Sequence, residues 1–174
     1  MKSYDSIRHV RGESKFVDDL PVPENFLYGY VFYSSIAHGK IKKINFNDAI
    51  NYAGVVSILS AKDIPGENQI GGVILDEELF AESSVHFVGQ PIALVVANNY
   101  LSAKLASKLI KVQYEELPAV FDAREAYSKN LLIASPRVFE CGNIEDAWPQ
   151  CDYIIEGKTE SGSQEHLYLE TQGA

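Results

Sequence analysis

The chain has 174 residues, 46% of them hydrophobic, and a formal net charge of −9. That size closes one core and begins a second, while the scattered basic residues and the negative balance argue against nucleic-acid binding. No apolar run reaches the roughly 18 residues of a membrane span, and the N-terminus shows no cationic-plus-apolar leader pattern, so a soluble, cytoplasmic protein is expected. The two cysteines, Cys141 and Cys151, are too few for a four-thiolate zinc or iron–sulfur site. They read as free thiols of a reducing compartment. The four histidines, His9, His38, His86 and His166, are well separated, and no protein-ligated metal is indicated.

From the N-terminus, residues 7–20 contain a turn glycine, Phe16-Val17 and the pair Asp18-Asp19, before Pro21 and Pro23 break the chain. Adjacent aspartates on an extended segment point apart, so a solvated turn or a bond to a backbone amide is the better reading than catalysis. Residues 27–34 and 40–45 read as two strands, joined through Ile36-Ala37-His38-Gly39. His38 is a candidate base, weighed against a turn histidine bonded to backbone. Asp48 is expected to cap a brief helix over 49–52 that ends at Gly54, and 55–59 reads as a strand. Pro65-Gly66 suits a tight turn. Gly71-Gly72 lacks a following helix and reads as a flexible turn, not a phosphate cradle. The acidic stretch 76–82 reads as a solvated face, with 85–88 leading into the next strand.

The central stretch is Val88 to Ala119. Pro91 to Ala97 is a continuous, β-branched-rich apolar run of strand length, which must be covered on both faces. Asn99 suits an N-cap, and Leu101, Leu105 and Leu109 predict the apolar stripe of a short helix, opposite Ser102, Lys104, Ser107 and Lys108. Ile110, Val112 and Tyr114 then alternate with polar residues as in a strand with one wet face, stopped by Pro118. Gln90, ahead of a buried strand, reads as a satisfied amide at a strand edge.

Beyond Pro118, 122–127 suggests one or two helical turns, 142–148 a capped short helix, and 152–160 a strand with Tyr153 and Ile155 on one side. A boundary is placed near Ser135, giving domains 1–135 and 136–174, the second incomplete. Residues 163–171, SQEHLYLET, gather an amide, two carboxylates, an imidazole and a phenol. On a strand, Gln164, His166, Tyr168 and Glu170 would share one face. General acid–base catalysis by His166 oriented by Glu170, as in a small hydrolase, competes with a structural polar network.

Gly89-Gln90-Pro91-Ile92-Ala93 before a Val-Val-Ala strand, Tyr114-Glu115-Glu116-Leu117-Pro118 after the helix, the Pro65-Gly66-x-Asn68 turn and Gln164-Glu165-His166-x-Tyr168-Leu169-Glu170 together resemble the molybdopterin-binding subunit of the xanthine dehydrogenase and aldehyde oxidase family. The resemblance implies an α+β fold, an a/b hammerhead-like mixed sheet with short helices, followed by the first strands of the molybdenum-cofactor domain. It implies a molybdenum–molybdopterin cofactor in the complete protein, held without protein metal ligands, and purine or aldehyde hydroxylation. Gln164 is then the residue whose neutral amide approaches the metal's oxo group, a donor that adds no charge. The family's glycine-rich cofactor loop and glutamate base have no counterpart here, so no catalytic residue is assigned and the chain alone is expected to bind no cofactor and be inactive. Iron–sulfur and FAD-binding subunits and the remainder of the molybdopterin subunit are the implied partners. A non-enzymatic docking module for those subunits is the alternative.

Overall fold

The computed structural model describes residues 4–167. Residues Val22–Asn130 form one compact unit, and the flanking segments form a second. Six strands build the first unit: β1 (Tyr28–Tyr33), β2 (Gly39–Asn45), β3 (Val55–Ser60), β4 (Ser84–Val85), β5 (Pro91–Ala97) and β6 (Lys111–Glu116). They pair into two three-stranded antiparallel sheets, ordered β1-β5-β3 and β4-β2-β6. The α+β class thus holds, its strands resolving into two sheets.

β5 is covered as its composition requires. Ile92, Ala93, Val95 and Ala97 are buried between β1 and β3 and the elements packed on them. Burying Ile92 and Val95 stabilises the fold by about 1.5–3 kcal/mol each. One cluster gathers Val95, Ala97, Ala103, Ala106 and Ile110 with Tyr30, Phe32, Ile58 and Val112 around it. A second sets Ala81, Val85 and Ile92 against Ile36, Ile41, Ile44 and Tyr114. Ile44, Phe32 and Val112 touch both, so the two sheets share one interior.

The helix α3 (Tyr100–Ser107) starts where expected, Asn99 Oδ1 accepting the Ser102 N–H at 2.8 Å. Of the predicted leucine stripe only Leu109, just past the helix, packs on the core. Ala103, Ala106 and Ser107 are buried, whereas Leu101 is 62% exposed and Leu105 36%. The helix packs on β1 and β5, and the small side chains at the contact let the two backbones approach closely. α3 carries the chain from the first sheet to the second, because β6 pairs with β2 and not with β5.

Three further expectations change. The short helix α2 (Asn47–Ile50) is preceded by Asn45, whose Oδ1 accepts the Asn47 N–H at 2.9 Å, while Asp48 pairs with Lys111 at 2.7 Å instead of capping. Residues 85–88 do not run into β5: β4 belongs to the other sheet, and Gly89, at φ +90°, reverses the chain first. Asn68 and Gln69 also hold 68–80 in a defined loop, where the glycine pair suggested flexibility. α4 (Ala123–Ser128) closes the unit, with Asp122 accepting the Glu125 N–H at 2.8 Å.

In the second unit, α1 (Tyr4–Arg11) stands where the sequence suggested only a turn. Gly12, at φ +69°, ends it with two paired bonds, Glu13 N–H to Arg8 C=O at 2.9 Å and Gly12 N–H to His9 C=O at 3.2 Å. The turn glycine was therefore a helix stop. Asp19 accepts the Phe16 N–H at 3.0 Å, the backbone bond expected of the aspartate pair. α5 (Ile144–Ala147) is capped by Asn143, which accepts the Glu145 N–H at 3.0 Å. Residues 152–160 adopt no regular structure: the predicted strand does not form, its alternating side chains Tyr153 and Ile155 being 89% and 93% exposed with no neighbouring strand among the described residues to pair with.

Candidate functional site

Two places carry the polar residues singled out by the sequence, one in each unit. In the first, the loop after β1, the turn before β5 and the end of β6 converge. Ser34 donates its N–H to the Gln90 carbonyl at 2.8 Å and its carbonyl accepts from Gly89 at 2.9 Å. Gln90, 5% exposed, accepts the His86 N–H on Oε1 at 2.7 Å. That is the satisfied amide expected of it.

His38 Nδ1 lies 2.7 Å from the Pro118 carbonyl oxygen, so His38 is a turn histidine tied to backbone, and a carbonyl, not a carboxylate, orients it. Its ring stacks on His86, with centroids 5.8 Å apart, and His86 Nε2 is 3.1 Å from Ser84 Oγ. Tyr114, on β6, packs against Ala81, Val85 and Ile92. Burial raises its pKa above the ordinary phenol value, and hydrogen bonds from Ser34 and Ser35 partly oppose that. Gly39 is held by close approach: a Cβ there would meet the Glu115 carbonyl oxygen at 2.9 Å and the tip of Ile36 at 2.6 Å. Among the described residues, no buried side-chain polar atom lacks a partner. The junction is a hydrogen-bonded structural network: Ser84 pairs a hydroxyl with the His86 imidazole, and among the described residues no hydrogen bond or ion pair joins a carboxylate to either imidazole.

In the second unit, Ser163, Gln164, Glu165 and His166 are exposed and irregular, and the His166 N–H donates to its neighbour Glu165 Oε1 at 2.9 Å. Residues 164–167 are not a strand, so the shared face predicted for Gln164 and His166 does not form; Leu167 turns through φ +52°. Tyr168 and Glu170 lie outside the described residues. Cys141 and Cys151 are exposed thiols. Among the described residues, no group of three histidine, cysteine or acidic side chains is placed to hold a metal ion, and no helix is long and apolar enough to cross a membrane.

The residue that the resemblance assigns to molybdenum–molybdopterin is an uncharged primary amide, flanked by the exposed Ser163, Glu165 and His166. Gln164 offers two N–H donors at an exposed position. That suits a group whose metal takes its sulfur ligands from the pterin and needs only neutral hydrogen bonds from this part of the chain.

The sequence singled out Asn68 only as the last residue of the Pro65-Gly66-x-Asn68 turn and missed Gln69; together their side chains close the loop 68–80. Their position just past the Pro65-Gly66 turn was the available signal.

Comparison with known proteins follows the same lines. Residues 11–118 match the family model described as aldehyde oxidase and xanthine dehydrogenase, a/b hammerhead domain. The chain is 39% identical over 173 residues to xanthine dehydrogenase of Dictyostelium discoideum, covering 99% of this chain and 13% of that protein. It is 40% identical over 167 residues to aldehyde oxidase 4 of Rattus norvegicus, covering 95% and 12%. Among solved structures, the Cu,Mo-CO dehydrogenase superposes with a TM-score of 0.65 at 32% identity, over 72% of this chain and 16% of that one. The chain therefore spans about an eighth of the length of those curated relatives. With more than half of its residues under the hammerhead model and near-complete alignment to these enzymes, the chain belongs to the aldehyde oxidase and xanthine dehydrogenase family.

Proposed function

We propose that the chain is an N-terminal portion of the molybdopterin-binding polypeptide of a molybdenum hydroxylase acting on purines or aldehydes. In this reading 1–135 is the scaffold and 136–174 the first edge of the cofactor pocket. Gln164 places its amide against the molybdenum centre, and iron–sulfur and FAD-binding subunits or domains accept the electrons. Bound there, the cofactor supplies the oxygen-transfer and redox chemistry. The residues of this chain supply a rigid wall and one neutral donor, which stabilises developing negative charge without a net charge of its own.

The observation that carries this is alignment that runs on past the hammerhead, through 99% of the chain with a xanthine dehydrogenase and 95% with an aldehyde oxidase. The exposed side chains of the second unit agree with it. Phe139, Tyr153 and Ile155 are 95%, 89% and 93% exposed, an arrangement that further polypeptide would cover.

The test replaces the matching residues of Dictyostelium discoideum xanthine dehydrogenase with this chain. The chimera is expected to retain molybdenum by elemental analysis and to oxidise xanthine or an aldehyde. Gln164→Ala is expected to lower kcat about 10²-fold with molybdenum still bound. The isolated chain is expected to turn over neither substrate, and sustained oxidation by it would sink the proposal.

A further inference from the structure

The least expected surface of the first unit is the loop from Asn68 to Phe80. Its neck is closed from both sides: Asn68 Nδ2 donates to the Phe80 carbonyl at 2.7 Å, and the Phe80 N–H returns to Asn68 Oδ1 at 3.0 Å. One residue on, Gln69 Oε1 accepts the N–H groups of Gly71 at 2.7 Å and Glu77 at 3.0 Å, and Ile70 N–H bonds the Glu77 carbonyl at 2.8 Å. Gly71 is required at the crossing, since a Cβ there would collide with the Ile74 carbonyl oxygen. Below the neck, Phe80 and Ala81 are buried, and the Ala81 N–H is tied to the Pro91 carbonyl at 2.8 Å.

This neck holds out a tip that ought to be polar and is not. Val73, Ile74 and Leu75 are consecutive and 96%, 55% and 71% exposed, followed by Asp76, Glu77 and Glu78. Three adjacent aliphatic side chains in water are unfavourable unless something covers them. A backbone already fixed by five hydrogen bonds loses little further freedom when that happens.

We propose that this loop is a docking element, and that its occupant is an apolar pocket with a cationic rim on the remainder of the molybdopterin-binding polypeptide. Val73, Ile74 and Leu75 enter the pocket, and the Asp76 to Glu78 shoulder faces the rim. The proposal rests on the reading of the chain as part of a longer enzyme, in which seven eighths of the relatives' length lies outside the match. A second copy of this chain is disfavoured, since each carries a net charge of −9 and the same acidic shoulder.

The same Dictyostelium chimera and the isolated 174-residue chain provide the test, by amide hydrogen exchange and thermal unfolding. Exchange across 72–76 is expected to be slower in the chimera by a factor of about ten or more. The double substitution Val73→Asp, Leu75→Asp is expected to leave the Tm of the isolated chain unchanged within about 1 °C and to lower that of the chimera by about 5 °C or more. A folded, molybdenum-loaded chimera whose loop exchanges as fast as in the isolated chain, or in which the double substitution is neutral, overturns the docking proposal alone. A chimera that neither folds nor retains molybdenum overturns the enzyme reading and the docking proposal with it.

Discussion

Gln90 accepts the backbone N–H of His86 on its side-chain oxygen at 2.7 Å, and it does so at a position only 5% exposed. The bond closes the turn that feeds the central strand, because the Gln90 carbonyl also receives Ser34 and its own N–H reaches Phe87 at 3.3 Å. Replacing Gln90 with Leu keeps the volume but leaves the His86 N–H without its acceptor. The expected loss is about 1–3 kcal/mol by urea denaturation, with Gln90→Glu, which keeps an acceptor oxygen, measured alongside. Equal stability of Gln90→Leu and the parent would show that this bond is dispensable.

Gly39 and Gly66 separate two reasons for a glycine. Around Gly39 a Cβ would press on the Glu115 backbone oxygen and on Ile36, whereas around Gly66 nothing lies within 4 Å and no positive φ is required. Gly39→Ala should therefore destabilise by about 1–3 kcal/mol, since backbone in a paired strand has to move. Gly66→Ala should be neutral or slightly stabilising, within about 0.5 kcal/mol, through the unfolded chain. Thermal denaturation of the two variants side by side decides it.

The helix face is where sequence and structure part. Leu101 and Leu105 promised the buried stripe, yet the residues that meet the sheet are Ala103 and Ala106. Ala106→Leu is accordingly expected to cost about 1–3 kcal/mol from overpacking. Leu101→Ser should stay within about 0.5 kcal/mol. The reverse ranking in chemical denaturation would restore the leucine face as the packed one.

Strand periodicity was legible because β1, β2, β3, β5 and β6 each pack against neighbours within the first unit, so local pattern and burial agree. The Asn99 cap and the capped short helix at 142–148 were legible for the same local reason, whereas Asp122 was not read as a cap. What could not be read was sheet membership: nothing in the alternation of 111–116 says that this strand pairs with β2 and not with β5. Residues 152–160 show the converse, a strand pattern that no strand among the described residues meets. Gln164 was noticed through its motif, and its exposed, irregular setting alone would not have drawn attention.

The pair of neighbours Tyr114 and Glu115 on β6 predicts how stability falls away at the two ends of the pH range. Glu115 bonds Lys42 across the strand pair, and that bond, with the charges of Lys42 and Lys40, holds its carboxyl below the ordinary value of 4.5. A depressed folded pKa means that the unfolded chain takes up the proton first on acidification. The contribution is thus present above about pH 4.5 and lost as the pH falls through the lower folded value. Tyr114 works in the opposite sense. Burial raises its pKa above 10.0, so its contribution is complete below pH 10 and is lost as the pH climbs towards the folded value. Glu115→Gln should therefore flatten the acid limb of a Tm-against-pH curve and leave the alkaline limb alone. Tyr114→Phe should flatten the alkaline limb and also lower stability at neutral pH by about 0.5–1.5 kcal/mol, because the hydrogen bonds with Ser34 and Ser35 go with the hydroxyl. An alkaline limb unchanged in Tyr114→Phe would assign that loss to other groups.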